Sequence, residues 1–304
     1  MRSSSKNSLF GLFALSFIAF SCTRQQNVPM PNNQKSQESQ DLTISPLPKP
    51  DHIIVVVMEN HGYTQIMGSS SAPYINSLAH DAYSANFSNS YALTHPSQPN
   101  YLMLYSGSNQ GVTNDDNSPN DPFTTANLGK QLLKAGRTYK TYSESLPSVG
   151  YNGDSYGTYR RKHNPAANWM GSGSNQIPKS TNQPYTAFPT DYTKLPTVSF
   201  VIPNQNNDMH DGSISTGDTW LKNNLDKYIQ WAKTHNSLFI VTFDEDNDQQ
   251  GNHIVTIFCG SMVKNGTYTS KITHYNVLRT IENMYGLHYA GGAASSTTIN
   301  YCWK

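Results

Sequence analysis

His52-Ile53-Ile54-Val55-Val56-Val57-Met58-Glu59-Asn60-His61 holds six apolar side chains in an unbroken row and then ends on an acid, an amide and an imidazole. A strand with one wet face alternates apolar and polar residues, whereas a strand covered on both faces does not. The row therefore predicts a buried strand of the parallel type with a polar C-terminal end. Val198–Ile202, Ser237–Phe243 and residues 253–259 repeat this short, β-branched, apolar character. Between such runs, residues 124–135 and 216–234 carry helical spacing, the second placing Leu221, Leu225, Ile229 and Ala232 on one face with Trp220 and Tyr228 beside them. Buried strands alternating with amphipathic helices predict an α/β three-layer sandwich around a mostly parallel central sheet, built by residues 51–304 as one domain.

The first fifty residues read differently. Arg2 and Lys6 precede an apolar run from Leu9 to Phe20, followed by Ser21 and Cys22, which is the pattern of an export signal over residues 1–21. Cys22 sits as in a relaxed bacterial lipoprotein box, where it becomes the lipidated N-terminus, although Ala19 stands where Leu is usual; ordinary cleavage near Cys22 is the other outcome. Either outcome predicts an exported protein, in the periplasm, at the cell surface or secreted. Residues 22–50 are rich in Gln, Asn, Ser and Pro and poor in side chains that bury surface, so they read as a disordered tether.

With 36% hydrophobic and 13% charged residues, the 304-residue chain has the composition of a folded, polar-surfaced globule. Lys+Arg 21 against Asp+Glu 20 leaves a net charge of +1, which excludes nucleic-acid binding by bulk positive charge. No stretch of the body reaches the roughly 18 consecutive apolar residues of a membrane span, so a lipid on Cys22 is the expected route to a membrane. Cys259 and Cys302 either pair or remain thiols; the sequence leaves both open.

In open α/β sheets, ligands bind beyond the carboxyl ends of the strands. Here those ends carry Glu59-Asn60-His61, then Asp208, His210 and Asp211, then Asp244-Glu245-Asp246. Carboxylates gathered at one edge repel one another unless a cation neutralises them. Glu59, Asn60, Asp244 and Glu245 offer only oxygen, which favours a hard divalent ion, Ca²⁺ first, with Mg²⁺, Mn²⁺ and then Zn²⁺ as alternatives. The competing expectation is that Asp244 to Asp246 form a solvated loop. Ser97, in Thr94-His95-Pro96-Ser97-Gln98-Pro99-Asn100-Tyr101, stands where a helix should begin, and its hydroxyl serves either as an N-cap or as a nucleophile. Residues 145–195, with many Tyr, Asn, Gly and Pro, read as an irregular insertion of the kind that lines a site.

VVVMENHGY (55–63), PYINSLAHD (73–81), THPSQPNYLMLYSG (94–107), TYSESLP (141–147), YRRKHNPA (159–166), FVIPNQNNDMHDG (200–212), GDTWL (217–221), FIVTFDE (239–245) and HYNVLRTIENMYG (274–286) follow in that order. Together they resemble the phosphoesterase family of bacterial acid phosphatases and phospholipases C, a branch of the alkaline phosphatase superfamily whose small secreted members include phosphoinositide phosphatases. The resemblance implies an alkaline-phosphatase-like fold and one metal ion held by Glu59, Asn60, Asp244, Glu245 and Ser97, with Ser97 the nucleophile that becomes phosphorylated. It implies that Asn100 donates to a phosphate oxygen, and that His163 and His210 bind phosphate or protonate the leaving oxygen, without dividing these roles. Asp208, His210 and His274 are the residues available to a second ion, and a single ion helped by protonated histidines is the expectation.

The implied function is an exported, metal-dependent phosphatase of small phosphate monoesters or phospholipid headgroups. Phosphodiester cleavage of the phospholipase C type is the alternative, and a catalytically silent binding lipoprotein is a more distant one. His61 and His95 adjoin the site as auxiliaries. Glu144 and the run Arg160 to Lys162 either shape the substrate mouth or, for the basic run, lie solvated. Asp246 is left outside the ligand set, and its replacement by Asn is expected to matter less than that of its neighbours.

Overall fold

The structure, a computed structural model, describes residues 46–304. The export-signal segment and residues 22–45 of the expected tether lie outside the described residues. Within the tether's last five residues, Leu47 packs against the core and Pro50 is buried, so packed structure reaches ahead of Asp51.

Eight strands form the central sheet: β1 (His52–Met58), β2 (Ser84–Phe87), β3 (Tyr139–Ser143), β4 (Asn182–Pro184), β5 (Val198–Ile202), β6 (Ser237–Phe243), β7 (Thr256–Cys259) and β8 (Gly266–Tyr268). Their spatial order is β8-β2-β7-β6-β1-β5-β3-β4. From β6 to β4 every pairing is parallel; β7 runs antiparallel to both β6 and β2, and β2 pairs parallel with β8. β1 lies in the interior of the sheet, in register with β5 through Val55 opposite Phe200 and with β6 through Met58 opposite Phe243. That central place is why its apolar row is unbroken: Ile53, Val55 and Val57 enter one core, and Ile54, Val56 and Met58 the other.

Each core is closed by helices. On one face, α2 (Ser97–Ser106), α3 (Leu128–Lys134) and α5 (His274–Met284) contribute Leu102, Leu132 and Leu278. On the other, α1 (Pro73–Ala79) and α4 (Ile214–Ala232) contribute Ile75, Leu221 and Ile229. This is the predicted three-layer sandwich. Asp218 of α4 caps α1 by accepting from the backbone N–H groups of Tyr74 and Ile75 at 3.0 and 2.8 Å, which fixes the two outer helices to each other.

The run at 253–259 is not one strand. His253–Ile254 joins a small sheet with residues 90–91 and 272–273, and only Thr256–Cys259 enters the main sheet. The helix expected over 124–135 is shorter, with Asn127 accepting from Lys130 N as its N-cap. Cys259 and Cys302 are both buried free thiols in separate cores. Among the described residues no helix is long and apolar enough to cross a membrane.

Candidate active site

β1 and β6 deliver their polar ends side by side. Asp244 N donates to Met58 O at 2.9 Å, and Glu59 N donates to Asp208 O at 2.8 Å, so three chain segments are pinned at one point. Asn60 then adopts φ 51, a left-handed conformation that Asn tolerates, and this aims its N–H at Asp244 Oδ1, 3.0 Å away. Met209 is buried with φ 85, a strained value for a side chain of that size, and the kink lies between Asp208 and His210. Gly217 makes room for it: a Cβ there would lie 2.4 Å from Met209 Cγ and 2.9 Å from Asn207 O.

Ser97 is the first residue of α2, and the N-cap position belongs to Pro96. The hydroxyl is therefore not spent on capping. Its Oγ lies 3.0 Å from Glu59 Oε2, 3.2 Å from Glu245 Oε1 and 3.4 Å from Asn60 Oδ1. One hydroxyl hydrogen cannot satisfy three acceptors, so oxygens have converged here beyond what hydrogen bonding requires. α2 has no wet face, since all ten of its residues are buried, and Tyr101, one turn after Ser97, donates its hydroxyl to the other Glu59 oxygen, Oε1. The phenol ring stacks on His163 at 5.4 Å between centroids.

The acids at this edge are buried, not solvated as the loop expectation held: Glu59 is 0%, Asp244 1%, Glu245 6% and Asp246 2% exposed. Burial, followed by the charges of Asp244 and Asp208, pushes Glu59 well above the usual carboxylate range. Burial and then the Asp244 charge push Glu245 up to about 9, and burial pushes Asp208 up to about 7. Asp244 is raised as well, again mainly by burial. Asp246 has a different task, accepting the backbone N–H groups of Asp248, Gln250 and Asn252 and thereby shaping the loop after β6. His95 sits against that loop, 3.3 Å from Glu245 Oε2 and 3.1 Å from Asp246 Oδ1.

His163 is 1% exposed, with Nε2 3.4 Å from Glu59 Oε1 and Nδ1 3.1 Å from Asp208 Oδ2. Neither approach has hydrogen-bond alignment, so His163 Nε2, Asp208 Oδ2 and Asp244 Oδ2 are buried polar atoms without a hydrogen-bond partner. Burial, and then the charge of Lys162, lowers the His163 pKa to about 3. Burial thus disfavours the protonated ring expected from the sequence at His163. His210 is half-buried; its Nδ1 lies 2.8 Å from Asp211 Oδ1, leaving Nε2 as its free ring nitrogen. Ligand atoms of Glu59, His163 and His210 lie within 4.8 Å of one another.

Orphaned buried atoms beside an all-oxygen cluster fit a divalent cation. Glu59, Asn60, Ser97, Asp244 and Glu245 form the oxygen-rich set, and the trio with two histidines is a second grouping with nitrogen donors.

Other expected residues take different places. Asn100 spends its amide hydrogens on Thr94 O at 2.7 Å and Glu245 Oε2 at 3.2 Å, and its Oδ1 accepts from the N–H groups of Leu93 and Thr94. It braces Glu245 and the turn before α2, with no donor left for phosphate. His274 is buried with Nε2 2.8 Å from Asp244 O, its pKa lowered by burial to about 4; it supports the end of β6 and does not join Asp208 and His210. Glu144 accepts from Asn204 N and from Asn207 Nδ2, both at 2.9 Å, holding the loop that carries Asp208 and His210. Arg161 is no solvated base: it is buried and bonded to Asp121, Asn117 and Asn152. His61 Nδ1 lies 2.8 Å from Glu59 O, an auxiliary contact as expected.

Tyr101 went unread in the sequence, although its i+4 spacing from Ser97 was visible. The Asp115–Lys162 ion pair at 2.7 Å had no local signal, because 47 positions separate the partners.

The fold is shared with proteins of the alkaline phosphatase class. A protein of the alkaline phosphatase superfamily from Vibrio parahaemolyticus superposes with a TM-score of 0.54 at 12% identity, over 82% of this chain and 71% of the other. The chain belongs to the phosphoesterase family, whose model matches residues 70–288, and is an enzyme that hydrolyses phosphoric ester bonds. It is 46% identical over 264 residues to the phosphatidylinositol-3-phosphatase of Mycobacterium tuberculosis, covering 86% of each chain. It is 30% identical over 218 residues to an acid phosphatase of Aspergillus fumigatus, covering 67% of this chain but 48% of the fungal one.

Proposed function

We propose that this protein is an exported, metal-dependent phosphomonoesterase that turns over through a phosphoserine at Ser97 and accepts phosphoinositide headgroups among its substrates. The observation that carries it is Ser97 Oγ lying within 3.4 Å of Glu59, Asn60 and Glu245 at the start of a ten-residue helix. The substrate class is supported by the likeness to the mycobacterial enzyme, and export by the arrangement of Arg2, Lys6, the apolar run and Cys22.

Glu59, Asn60, Ser97, Asp244 and Glu245 would hold the ion, Ca²⁺ by donor chemistry, which when bound lowers the pKa of the serine hydroxyl and neutralises phosphate charge. As Ser97 Oγ attacks phosphorus, its proton passes to the Glu59 or Glu245 carboxylate. The N-terminal end of α2 supplies partial positive charge to the phosphate oxygens. The ester P–O bond breaks, and His210, held through Nδ1 by Asp211, gives a proton from Nε2 to the departing alcohol. In the second half His210 takes a proton from water as that water attacks phosphorus, the bond to Ser97 Oγ breaks, and the proton held by Glu59 or Glu245 returns to Oγ. Tyr101 and Asn100 keep Glu59 and Glu245 in place throughout. A second reading puts a nitrogen-preferring ion such as Zn²⁺ on Glu59, His163 and His210, favoured by their grouping within 4.8 Å.

The test is a hydrolysis panel on chelated protein, with Ca²⁺, Mg²⁺, Mn²⁺ or Zn²⁺ restored one at a time against a monoester, a diester and a phosphoinositide. Monoester hydrolysis recovered by a hard ion supports the reading. Full activity without any metal, or turnover of the diester alone, would overturn it.

A further inference from the structure

Beside the catalytic edge lies a cleft of about 310 Å³ whose lining side chains are all polar or charged. Asp115 and Lys162 form its inner end. Asp115 Oδ1 accepts the N–H of Gln98, the residue after Ser97, at 3.0 Å, and Lys162 pairs with Asp115 at 2.7 Å, so the cleft adjoins the first turn of the nucleophile's helix. Asp116 and Asn117 come from one loop; Asp154, Ser155 and Arg160 come from the insertion.

The two walls are locked together from below. Buried Arg161 bonds Asn117 Oδ1 and Asn152 Oδ1, each at 3.0 Å, and Asn117 donates to Asp154 Oδ1. Gln98 Nε2 donates to Asp116 O at 2.8 Å, tying the first wall to the nucleophile's helix. Among the described residues, Asp116 Oδ1, Asp154 Oδ2 and Ser155 Oγ take no protein hydrogen bond.

Small-molecule sites are usually lined mainly by apolar side chains, and an aromatic or alkyl group would find no such wall here. Fixed carboxylates, an amide and a hydroxyl match vicinal hydroxyl groups, each of which both donates and accepts. We propose that this cleft is the leaving-group subsite and that it selects a polyhydroxylated alcohol, a ring of the inositol or sugar kind, over an aromatic or alkyl one. Arg160, which lines the cleft with Nη1 donating to Gly157 O and Tyr159 O at 2.7 and 2.9 Å, supplies positive charge to any further phosphate on that ring. The proposal rests on the phosphomonoesterase reading and specifies its alcohol.

The test compares kcat/KM of the metal-loaded wild type and of the double variant Asp116→Ala with Ser155→Ala, both exposed positions away from the reacting atoms. Three substrates are used: phenyl phosphate, a free inositol monophosphate, and a short-chain soluble phosphatidylinositol 3-phosphate. The double variant is expected to lose about tenfold, mainly through KM, on one or both inositol substrates, and less than twofold on phenyl phosphate. Which inositol substrate responds tells a free phosphate from a lipid headgroup. Equal losses on all three, or none on any, overturn the subsite while leaving the phosphatase reading standing. A wild type that cleaves no monoester overturns both.

Discussion

Tyr101 and Glu59 form the contact on which the nucleophile's surroundings depend: the phenol donates to Glu59 Oε1, so that the other oxygen, Oε2, faces Ser97 Oγ at 3.0 Å. Both residues are buried, so neither can turn to water instead. Tyr101→Phe keeps the ring and its stacking on His163 but removes the donor. A buried hydrogen bond to a charged group is worth about 1.5–3 kcal/mol, so kcat should fall roughly 10- to 100-fold with KM little changed and metal affinity reduced. Steady-state kinetics and calorimetric titration with Ca²⁺ check this; unaltered kcat and affinity would contradict it.

Chelated protein should lose stability as pH rises from about 6.5 to 9. The folded state holds protons on Asp208 to about 7, Glu282 to about 8 and Glu245 to about 9, while the unfolded chain releases them near 4. In this window the native state binds more protons, and stability falls with rising pH. His163 and His274 act oppositely, their folded pKa values of about 3 and about 4 lying below the unfolded value, but that contribution levels off within about one pH unit above 6.5. A bound divalent ion neutralises Glu245, so the rise in Tm on adding Ca²⁺ should grow with pH. Thermal melts with and without chelator measure this. A flat or rising Tm in the chelated protein over the window would remove the unneutralised carboxylates from the account.

His210 and His163 should separate by leaving group. If His210 supplies the proton, His210→Asn should lower kcat on an alkyl phosphate by about 10²–10⁴-fold and far less on p-nitrophenyl phosphate, whose alcohol needs no protonation. His163→Asn disturbs the buried contacts to Glu59 and Asp208 and should depress both substrates alike, with weaker metal binding. Equal losses on both substrates for His210→Asn would take the acid role away from it.

Much of this was legible beforehand because the sheet is regular. Unbroken apolar rows at β1, β5 and β6 mark strands covered on both faces, and residues just past such strands must share one edge, so Glu59, Asp208 and Asp244 were readable as neighbours. Side-chain allegiance within that edge was not readable. Asn100 lies three residues from Ser97, yet whether its amide faces phosphate or braces Glu245 depends on the turn at Leu93 and Thr94. Asp246 looked dispensable beside its neighbours, and the loop it organises through three backbone N–H groups appears only once the chain is folded. The insertion hid Arg161, because a base in a basic run reads as solvated until Asp121, Asn117 and Asn152 are seen around it.

Asp246→Ala removes those three acceptors and should loosen the loop carrying Glu245. Backbone N–H groups that lose a partly buried acceptor cost about 1–3 kcal/mol in total, so Tm should drop by several degrees and Ca²⁺ affinity should fall with it. Hydrogen exchange of the amides at 248, 250 and 252 reports the loop directly; unchanged protection there would show that Asp246 does not hold it.

The central claim is the covalent step at Ser97. Acid quenching of the metal-loaded enzyme during turnover of a phosphate monoester, followed by mass spectrometry of its peptides, measures it. One added phosphoryl group on the peptide carrying Ser97 is predicted, absent in Ser97→Ala, which should also lose about 10⁴-fold or more in kcat while keeping its fold. A folded Ser97→Ala protein with near-normal turnover, or phosphate trapped on a different residue, would contradict the account.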